Sequence, residues 1–270
     1  MPARRRHPYP RVPSAEFTRF IRIVRRLRRD CPWDRKQTHR SLRESLLEET
    51  YEVIEALDRR NFRELRKELG DLALHVAMQA TIAEQSGEFT LEEVFYGINE
   101  KLIARHPHVF GSATVKGARQ VLQNWERLKM KEGRASVLEG VPPAMPALQR
   151  ALRVQQRASG VGFDWKKSED VWKKVREELE ELRRASRRGT KARREEEFGD
   201  LLFSLVNFSR FVRINPEHAL RGSVERFTKR FQHIEKGLAK QGRSAHDASL
   251  AEMDALWEEA KQRPRRRTRS

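Results

Sequence analysis

Four of the acidic pairs that are spaced three positions apart are candidates to share a site. On a helix, residues three or four positions apart share a face. Two antiparallel helices that each carry one pair would therefore gather four carboxylates around a small volume. The sequence predicts two such clusters, one in each half, formed by Glu49, Glu52, Glu68 and Asp71 and by Glu178, Glu181, Glu197 and Asp200.

Clustered carboxylates repel one another and resist ionisation, so a cation is expected among them. Ligands that are all oxygen favour Mg²⁺, with Mn²⁺ as the alternative, over Zn²⁺, which prefers His and Cys. Because Mg²⁺ often completes its shell with substrate phosphates, the clusters suit a polyphosphate substrate. A di-iron centre would need paired Glu-x-x-His motifs; His75 follows Asp71 by four residues, but its counterpart is Ser204. No P-loop motif occurs either.

The two clusters belong to an internal repeat. Residues 48–52 match residues 177–181, and residues 68–72 match residues 197–201, at a constant offset of 129 positions. Further matches follow in the same order: Lys101 and Arg105 with Arg226 and Arg230, and Trp125 and Lys129 with Trp257 and Lys261. An ordered series of matches indicates a duplicated unit rather than chance similarity.

The basic and aromatic residues of the second half have two interpretations each. Arg226 and Arg230 are suited to clamp phosphate oxygens, because the guanidinium fork accepts them in pairs. Trp257 either stacks on a base or anchors the core, and Lys261 either reaches phosphate or sugar or is solvated. The interior glycines Gly70 and Gly199 indicate close approach of a ligand or of a neighbouring helix.

The composition favours an all-α fold, since Leu, Glu, Arg, Lys and Ala dominate and strand signals are few. We expect acidic helices over residues 41–58 and 62–85 and again over 168–187 and 191–213. The predicted organisation is a basic tail (1–13), a first repeat (14–132), a linker rich in Gly and Pro (133–146), a second repeat (147–262) and a second basic tail (263–270).

The net charge of +18 arises in part from nine arginines in the two tails. Solvated, disordered tails are the favoured interpretation, and attraction to nucleic acid is the less favoured one. No segment approaches the roughly 18 apolar residues of a membrane span, and residues 1–13 lack the apolar core of a signal peptide. With the single Cys31, these features predict a cytoplasmic protein that has no membrane partner.

Several motifs make the chain resemble the two-repeat form of the MazG nucleoside triphosphate pyrophosphohydrolases. They are residues 31–34 (CPWD), 47–52 (LEETYE), 68–71 (ELGD), 105–111 (RHPHVFG) and 161–165 (VGFDW). The resemblance runs from about Phe17 to Lys261. It implies an all-α, Mg²⁺-dependent and typically dimeric enzyme, in which dimerisation completes each four-helix unit.

The resemblance also implies an activity and a site. The reaction would cleave nucleoside triphosphates between the α and β phosphates, giving a monophosphate and pyrophosphate. The metal ligands would be Glu178, Glu181, Glu197 and Asp200, with the first-repeat set as a second candidate. Arg226, Arg230, Trp257 and Lys261 fall at nucleotide-contacting positions. The family often has Lys at the position of Arg226, and Arg193 and Arg194 are also variable positions.

The expected mechanism is in-line attack by a water activated by the metal or by a glutamate. The general base would be one of the ligand carboxylates or Glu177, or Glu48 in the first repeat. We expect the second repeat to carry the activity. Two alternatives stand beside this one: a non-catalytic helical protein that binds nucleic acid or regulates a partner, and a hydrolase of narrower range, such as one acting on phosphoribosyl-ATP.

Overall fold

The computed structural model describes residues 14–117, 120, 121, 124 and 136–262. Within these ranges the chain forms ten α-helices and no strand, which confirms the predicted all-α class. The chain divides into two compact units, Met1–Val115 and Lys116–Ser270. The predicted linker at 133–146 falls partly outside the described ranges and stays a prediction. Both arginine tails and the Trp125 and Lys129 match lie outside them.

Five α-helices lie entirely within the described part of each unit. The first contains α1 (Ser14–Asp30), α2 (Arg43–Asp58), α3 (Phe62–Ser86), α4 (Leu91–Arg105) and the short α5 (Pro107–Phe110). The second contains α6 (Ala147–Gly160), α7 (Ser168–Arg188), α8 (Lys191–Phe211), α9 (Pro216–Ala239) and α10 (Leu250–Gln262). The ends of the four predicted acidic helices lie within two residues of α2, α3, α7 and α8.

Polar caps set where the second acidic helix of each unit begins. The Asn61 side chain accepts a hydrogen bond from the Glu64 amide at 3.2 Å, and Thr190 accepts one from the Arg193 amide at 3.2 Å. Such caps satisfy backbone donors that the first helical turn leaves unpaired. Asn61 and Thr190 are themselves 129 positions apart, so the caps extend the repeat that the acids define.

A packed apolar core holds α1 against α3 in the first unit. Val24, Leu42, Ala77 and Met78 form its buried centre, and Phe20, Ile21, Leu74 and Ile82 pack around them. Arg28, only 6% exposed, supports this contact: it donates to Gln85 at 2.6 Å and to the Gln37 carbonyl at 3.0 Å. The core thus fixes the α2–α3 hairpin that carries the first acidic cluster.

The second unit is built around the α7–α8 hairpin, which α6 packs against. Gln155 on α6 donates to the Phe203 carbonyl at 2.8 Å, and Trp172 contacts Phe208 with ring centroids 4.9 Å apart. Ahead of α7, Asp164 pairs with Arg210 at 2.7 Å, which ties the 161–167 loop to α8. These contacts hold the second acidic cluster on a fixed hairpin.

No described helix is long and apolar enough to span a membrane.

Candidate metal centre

In the second unit, α7 and α8 bring five acidic residues into two overlapping groups. Glu178, Glu197 and Asp200 each place a carboxylate oxygen within 4.8 Å of the others, and so do Glu177, Glu178 and Glu181. Glu178 belongs to both groups. The hairpin therefore gathers all four predicted ligands, together with Glu177, around a shared carboxylate.

Burial divides these acids into two kinds. Glu178 and Glu197 are buried, 5% and 2% exposed, whereas Glu177 and Asp200 are open to solvent. A buried carboxylate is costly unless a cation or hydrogen bonds compensate its charge. The two buried acids therefore require a positive partner, and the exposed ones can reach water and ligands.

Two basic residues supply that positive charge within the chain. Lys174 lies 2.7 Å from carboxylate oxygens of both Glu177 and Glu178. Arg193 forms an ion pair with buried Glu197 and a second one with Glu196. These bonds and charges raise the pKa of Lys174 and of Arg193, so both stay cationic.

Sequence reasoning did not assign either cation to the site. A usable signal was present, because Lys174 precedes Glu178 by four residues and Arg193 precedes Glu197 by four. Residues at that spacing meet on a helix face. With 57 Lys and Arg in the chain, however, many pairs satisfy the same spacing.

In the first unit, only three of the four predicted ligands meet. Glu49, Glu52 and Glu68 place carboxylate oxygens within 4.8 Å of one another. Asp71 lies outside this group. It is still close enough to Glu49 to act on it, since burial and then the Asp71 and Glu52 charges raise the pKa of Glu49.

Neither cation of the second unit has a counterpart at the matching position of the first, although Lys67 lies 3.7 Å from a carboxylate oxygen of buried Glu68. The 129-residue offset places Ser45 at the position of Lys174 and Glu64 at the position of Arg193. Burial, reinforced by hydrogen bonds with Glu64 and Glu52, raises the pKa of Glu68 against the opposing charge of Lys67. In the first cluster a lysine thus lies 3.7 Å from the buried acid, whereas in the second a lysine lies 2.7 Å from Glu178 and an arginine pairs with Glu197.

Gly70 and Gly199 face open space within this chain. A Cβ added at either position would meet no described atom within 4 Å outside its own helix. Tight packing against another helix of the same chain therefore does not explain these glycines, and contact with a ligand or another subunit remains the open alternative.

The predicted nucleotide-contacting residues lie on α9 and α10, not on the acidic hairpin. The Arg230 guanidinium carbon lies 5.3 Å from the centroid of the Trp257 ring, which also packs on Phe227 at 5.3 Å. Arg226 donates to Ser223 at 2.6 Å, and Lys261 pairs with Glu258. Among the described residues, no ion pair joins these side chains to the five acids.

The first-unit basic pair lies near a helix end. α4 ends at Arg105, and Pro107 begins α5. Proline disfavours helical backbone in the residue before it, so His106 leaves the helix. Lys101 therefore lies within a helix, whereas Arg105 lies at its end.

Two acidic helical hairpins, each with carboxylates close enough together to hold a metal ion, place the chain among all-α proteins with candidate carboxylate metal sites. The MazG nucleotide pyrophosphohydrolase domain is found twice, at residues 37–110 and 166–235. The first match contains the hairpin α2–α3 and extends through α5, and the second contains the hairpin α7–α8 and extends into α9. The chain belongs to the MazG nucleotide pyrophosphohydrolase family.

Full-length relatives support the assignment. The chain is 44% identical to the nucleoside triphosphate pyrophosphohydrolase/pyrophosphatase MazG of Thermotoga maritima over 250 residues, covering 91% of this chain and 95% of the relative. It is 38% identical to the nucleoside triphosphate pyrophosphohydrolase of Escherichia coli K12 over 255 residues, covering 91% and 97%. A shorter match, 40% over 146 residues, joins it to the Mycobacterium tuberculosis nucleoside triphosphate pyrophosphohydrolase and covers 53% and 45%.

Proposed function

We propose that this chain is a metal-dependent hydrolase that cleaves nucleoside triphosphates to a monophosphate and pyrophosphate at its second repeat. The observation that carries the proposal is the pair of overlapping acid groups that share Glu178. The pyrophosphohydrolase names of relatives that span the whole chain give the reaction. The substrates are nucleoside and deoxynucleoside triphosphates.

The proposed metal is Mg²⁺, with Mn²⁺ as a substitute. Every candidate ligand atom is a carboxylate oxygen, which suits these hard cations. Glu178, Glu181, Glu197 and Asp200 are the proposed ligands. Bound there, the metal would neutralise charge on the phosphates and favour formation of hydroxide from water.

The less buried acids are the candidates for accepting the proton of the attacking water. Glu177 and Glu181 lie beside Glu178 and are less buried than it is. A general base must reach the water that it deprotonates. We assign that role to one of these two glutamates. The buried side chains of Glu178 and Glu197 keep fixed positions.

Lys174 and Arg193 are proposed to change partners when substrate binds. Without a metal they compensate Glu178 and Glu197. A divalent ion at those carboxylates would take over this compensation and leave both side chains available to phosphate oxygens. Arginine presents a fork of donors and lysine a compact charge, and both bind phosphate well.

A second set of contacts to the nucleotide is proposed to come from the other subunit of a dimer. Its residues are Arg226, Arg230, Trp257 and Lys261. Leu220, Val224, Phe227 and Phe231 form a stripe at helical spacing on α9, and all are substantially exposed. On α8, Phe198, Leu202 and Leu205 form a similar stripe. Apolar stripes of this kind mark helix faces that a partner covers. A second copy of the chain would thus bring α9 and α10 to the acids of its partner.

The test is direct. Purified protein with Mg²⁺ and a panel of nucleoside and deoxynucleoside triphosphates should release pyrophosphate in amounts equal to the monophosphate. Release of orthophosphate, or no turnover, would overturn the proposal.

Paired variants distinguish the contributions of the two repeats to turnover. Asp200→Asn should lower kcat by about a hundredfold or more, because it replaces a charged carboxylate of the second cluster with a neutral amide. Asp71→Asn makes the same change in the first unit and should cost much less. Equal losses would mean that both clusters turn over substrate, and a loss confined to Asp71→Asn would reverse the assignment.

A further inference from the structure

Much of the net charge of this chain lies in one short segment. Residues 14–43 contain ten basic and three acidic residues, which gives a net charge of +7. Residues 44–262 contain 38 basic and 36 acidic residues, so their net charge is only +2. Residues 1–13 add four arginines and no acid. The positive charge of the first unit is therefore a local property of α1 and of the turn that follows it.

Helix α1 carries a stripe of arginines on its outer side. Four arginines at intervals of three or four residues share one face over about 15 Å. They are Arg19, Arg22, Arg26 and Arg29, and all are exposed. Val24, which is 1% exposed, lies on the opposite side of the helix. The stripe therefore faces solvent while the apolar side of α1 packs in the core.

The turn after α1 adds a second basic segment, which is held beside the end of the helix. Buried Arg28 donates to the backbone carbonyl of Asp34 and, at 3.0 Å, to that of Gln37. It thereby fixes a short 3₁₀ helix, Asp34–Lys36, against α1. The basic side chains of the turn are all exposed, and they are Arg35, Lys36, Arg40 and Arg43. We call these four and the four arginines of the stripe the basic face.

Most cations of the basic face lack an acidic partner. Arg19 pairs with Glu16, and Arg26 and Arg29 share Asp30. The other five make no ion pair with any described residue: Arg22, Arg35, Lys36, Arg40 and Arg43. Exposed positive charges that are close together and uncompensated favour a partner with many negative charges.

An exposed aromatic ring lies among these cations. The side chain of Trp33 is 66% exposed, and Arg35 and Lys36 follow it in the turn. The Trp33 backbone carbonyl accepts hydrogen bonds from the Lys36 amide and from the Gln37 side chain, both at 3.1 Å. These bonds order the turn, so little entropy is lost when the ring meets a ligand. Aromatic rings beside basic side chains stack on the bases of unpaired strands.

The surroundings of the basic face argue against other partners. A helix that lies on a membrane inserts its apolar side into the lipid, but Phe20, Ile21 and Val24 of α1 are packed in the core. A second copy of this face would be repelled, because like charges would meet. In a duplex the bases are already stacked on one another, so an unpaired strand is the form that offers a base to Trp33.

We propose that the basic face binds single-stranded nucleic acid, with its cations on the phosphates and Trp33 stacked on a base. Contacts to phosphates and to the flat faces of bases do not select a sequence, so DNA and RNA strands both fit. The face uses none of the acids and none of the nucleotide-contacting residues proposed above. The inference is therefore independent of the proposed function.

A triple variant, Arg22→Gln with Arg35→Gln and Arg40→Gln, removes three of the unpaired charges. The probe is a fluorescein-labelled thymidine oligonucleotide, and its fluorescence anisotropy is measured in EDTA so that no metal bridges phosphates to the acids. The triple variant should weaken binding about ten- to hundredfold and should lower the slope of log Kd against log salt concentration by about 2. Unchanged affinity would overturn the proposal.

A second triple variant removes the same charge from the second unit. It combines Arg150→Gln, Arg187→Gln and Arg188→Gln, all at exposed positions. Both variants keep the arginines of residues 1–13 and 263–270, so a difference between them reports on the basic face. The control should bind the oligonucleotide as wild type does. Equal losses in the two variants would mean that total charge attracts the strand, and they would overturn the proposal.

Trp33→Ala tests stacking separately from charge. It should weaken binding of the oligonucleotide about five- to hundredfold, because the ring no longer stacks on a base. An abasic strand of the same length keeps the phosphates and has no bases, so its binding should not change. Circular dichroism checks that the variant is folded. Wild-type affinity of Trp33→Ala for the oligonucleotide would overturn the proposed stacking.

Two further measurements distinguish the strand from other anions. Vesicles of phosphatidylserine and phosphatidylcholine should bind the wild type more weakly than the oligonucleotide does. The Arg22, Arg35 and Arg40 variant should release pyrophosphate from triphosphates as wild type does. Stronger binding to vesicles would assign the face to a membrane, and loss of turnover would assign it to the triphosphate substrate. Either result would overturn the proposal.

Discussion

At the scale of single residues, the two clusters differ more in their cations than in their acids. Both repeats present matching carboxylates at matching positions. Lys174 and Arg193 compensate the second cluster, whereas Ser45 and Glu64 stand at those positions in the first. The charge beside a ligand set governs how readily it exchanges one cation for another. The two repeats are therefore expected to bind metal with different strengths.

Replacing Lys174 tests this compensation. Lys174→Met removes a positive charge next to Glu178, so Mn²⁺ should bind about three- to tenfold more tightly in the absence of substrate. The same change should lower kcat/KM, because a proposed phosphate contact is lost. Titration calorimetry and steady-state kinetics measure the two effects. Lys173→Met is the matched control, since Lys173 pairs with Asp170 outside the cluster; equal effects from both variants would refute the explanation.

The acids could be predicted from sequence because a repeated pattern at a fixed offset is improbable by chance. The contacts of Lys174 and the surroundings of Asn207 could not, because each depends on what lies near the residue in space. Asn207 corresponds to buried Met78, and the sequence alone does not reveal that one faces a cavity and the other a core. Side-chain volume across three helices decides that difference.

At the scale of elements, the helices follow closely from local signals. Caps at Asn61 and Thr190 and the proline after His106 place helix ends where the sequence indicates them. What lies against a helix face is not a local property. The interior glycine of α8 is an example: its sequence suggests close packing, but its surroundings in the chain are open.

Gly199→Ala separates helix stability from function. Within one chain the added methyl meets no described atom, so higher helix propensity should stabilise the protein by about 1 kcal/mol. Turnover should fall if substrate or a second subunit approaches this face. Gly70→Ala should give a similar gain in stability with little loss of turnover. Urea unfolding and kinetics provide the measurements, and full activity in Gly199→Ala would show that nothing approaches closely there.

The loop before α7 is held to α8 by the ion pair between Asp164 and Arg210, whose contribution to stability depends on pH. Burial alone would raise the pKa of Asp164, but hydrogen bonds from Arg210 and Ser159 outweigh it and lower the pKa below the ordinary 3.8. A lowered pKa contributes stability that is present above the ordinary value and is lost as the pH falls through the folded value. Asp164→Asn should therefore destabilise the protein by about 1–2 kcal/mol at pH 7.

Urea unfolding across pH measures this contribution. The difference between wild type and Asp164→Asn should be constant from neutral pH to about pH 5 and should shrink below about pH 4. Asp254→Asn, an exposed change on α10, should show no such difference. A gap that persists undiminished at low pH would mean that the loop is not tethered by charge.

At the scale of the whole molecule, the exposed stripe on α9 is the feature that a single chain leaves unexplained. Val224→Glu places a charge within it, at a side chain that is 57% exposed in the single chain. The fold of the chain should survive, while a dimer should dissociate and lose turnover. Sedimentation velocity and circular dichroism test both points. Lys229→Glu, on the other side of α9, is the control and should sediment as wild type. An unaltered sedimentation coefficient for Val224→Glu would exclude this face from the interface.

Lys174 and Arg193 also affect whether the protein stays folded when no metal ion is bound. Proteins whose structural metals hold deprotonated ligands together often unfold when a chelator removes the ion. Here lysine and arginine side chains already neutralise the buried carboxylates. A chelator should therefore abolish turnover while the chain stays folded. Adding the ion back should restore turnover without a refolding step. The protein would then stay folded at any ion concentration, and its activity would rise and fall with the concentration of free divalent ions.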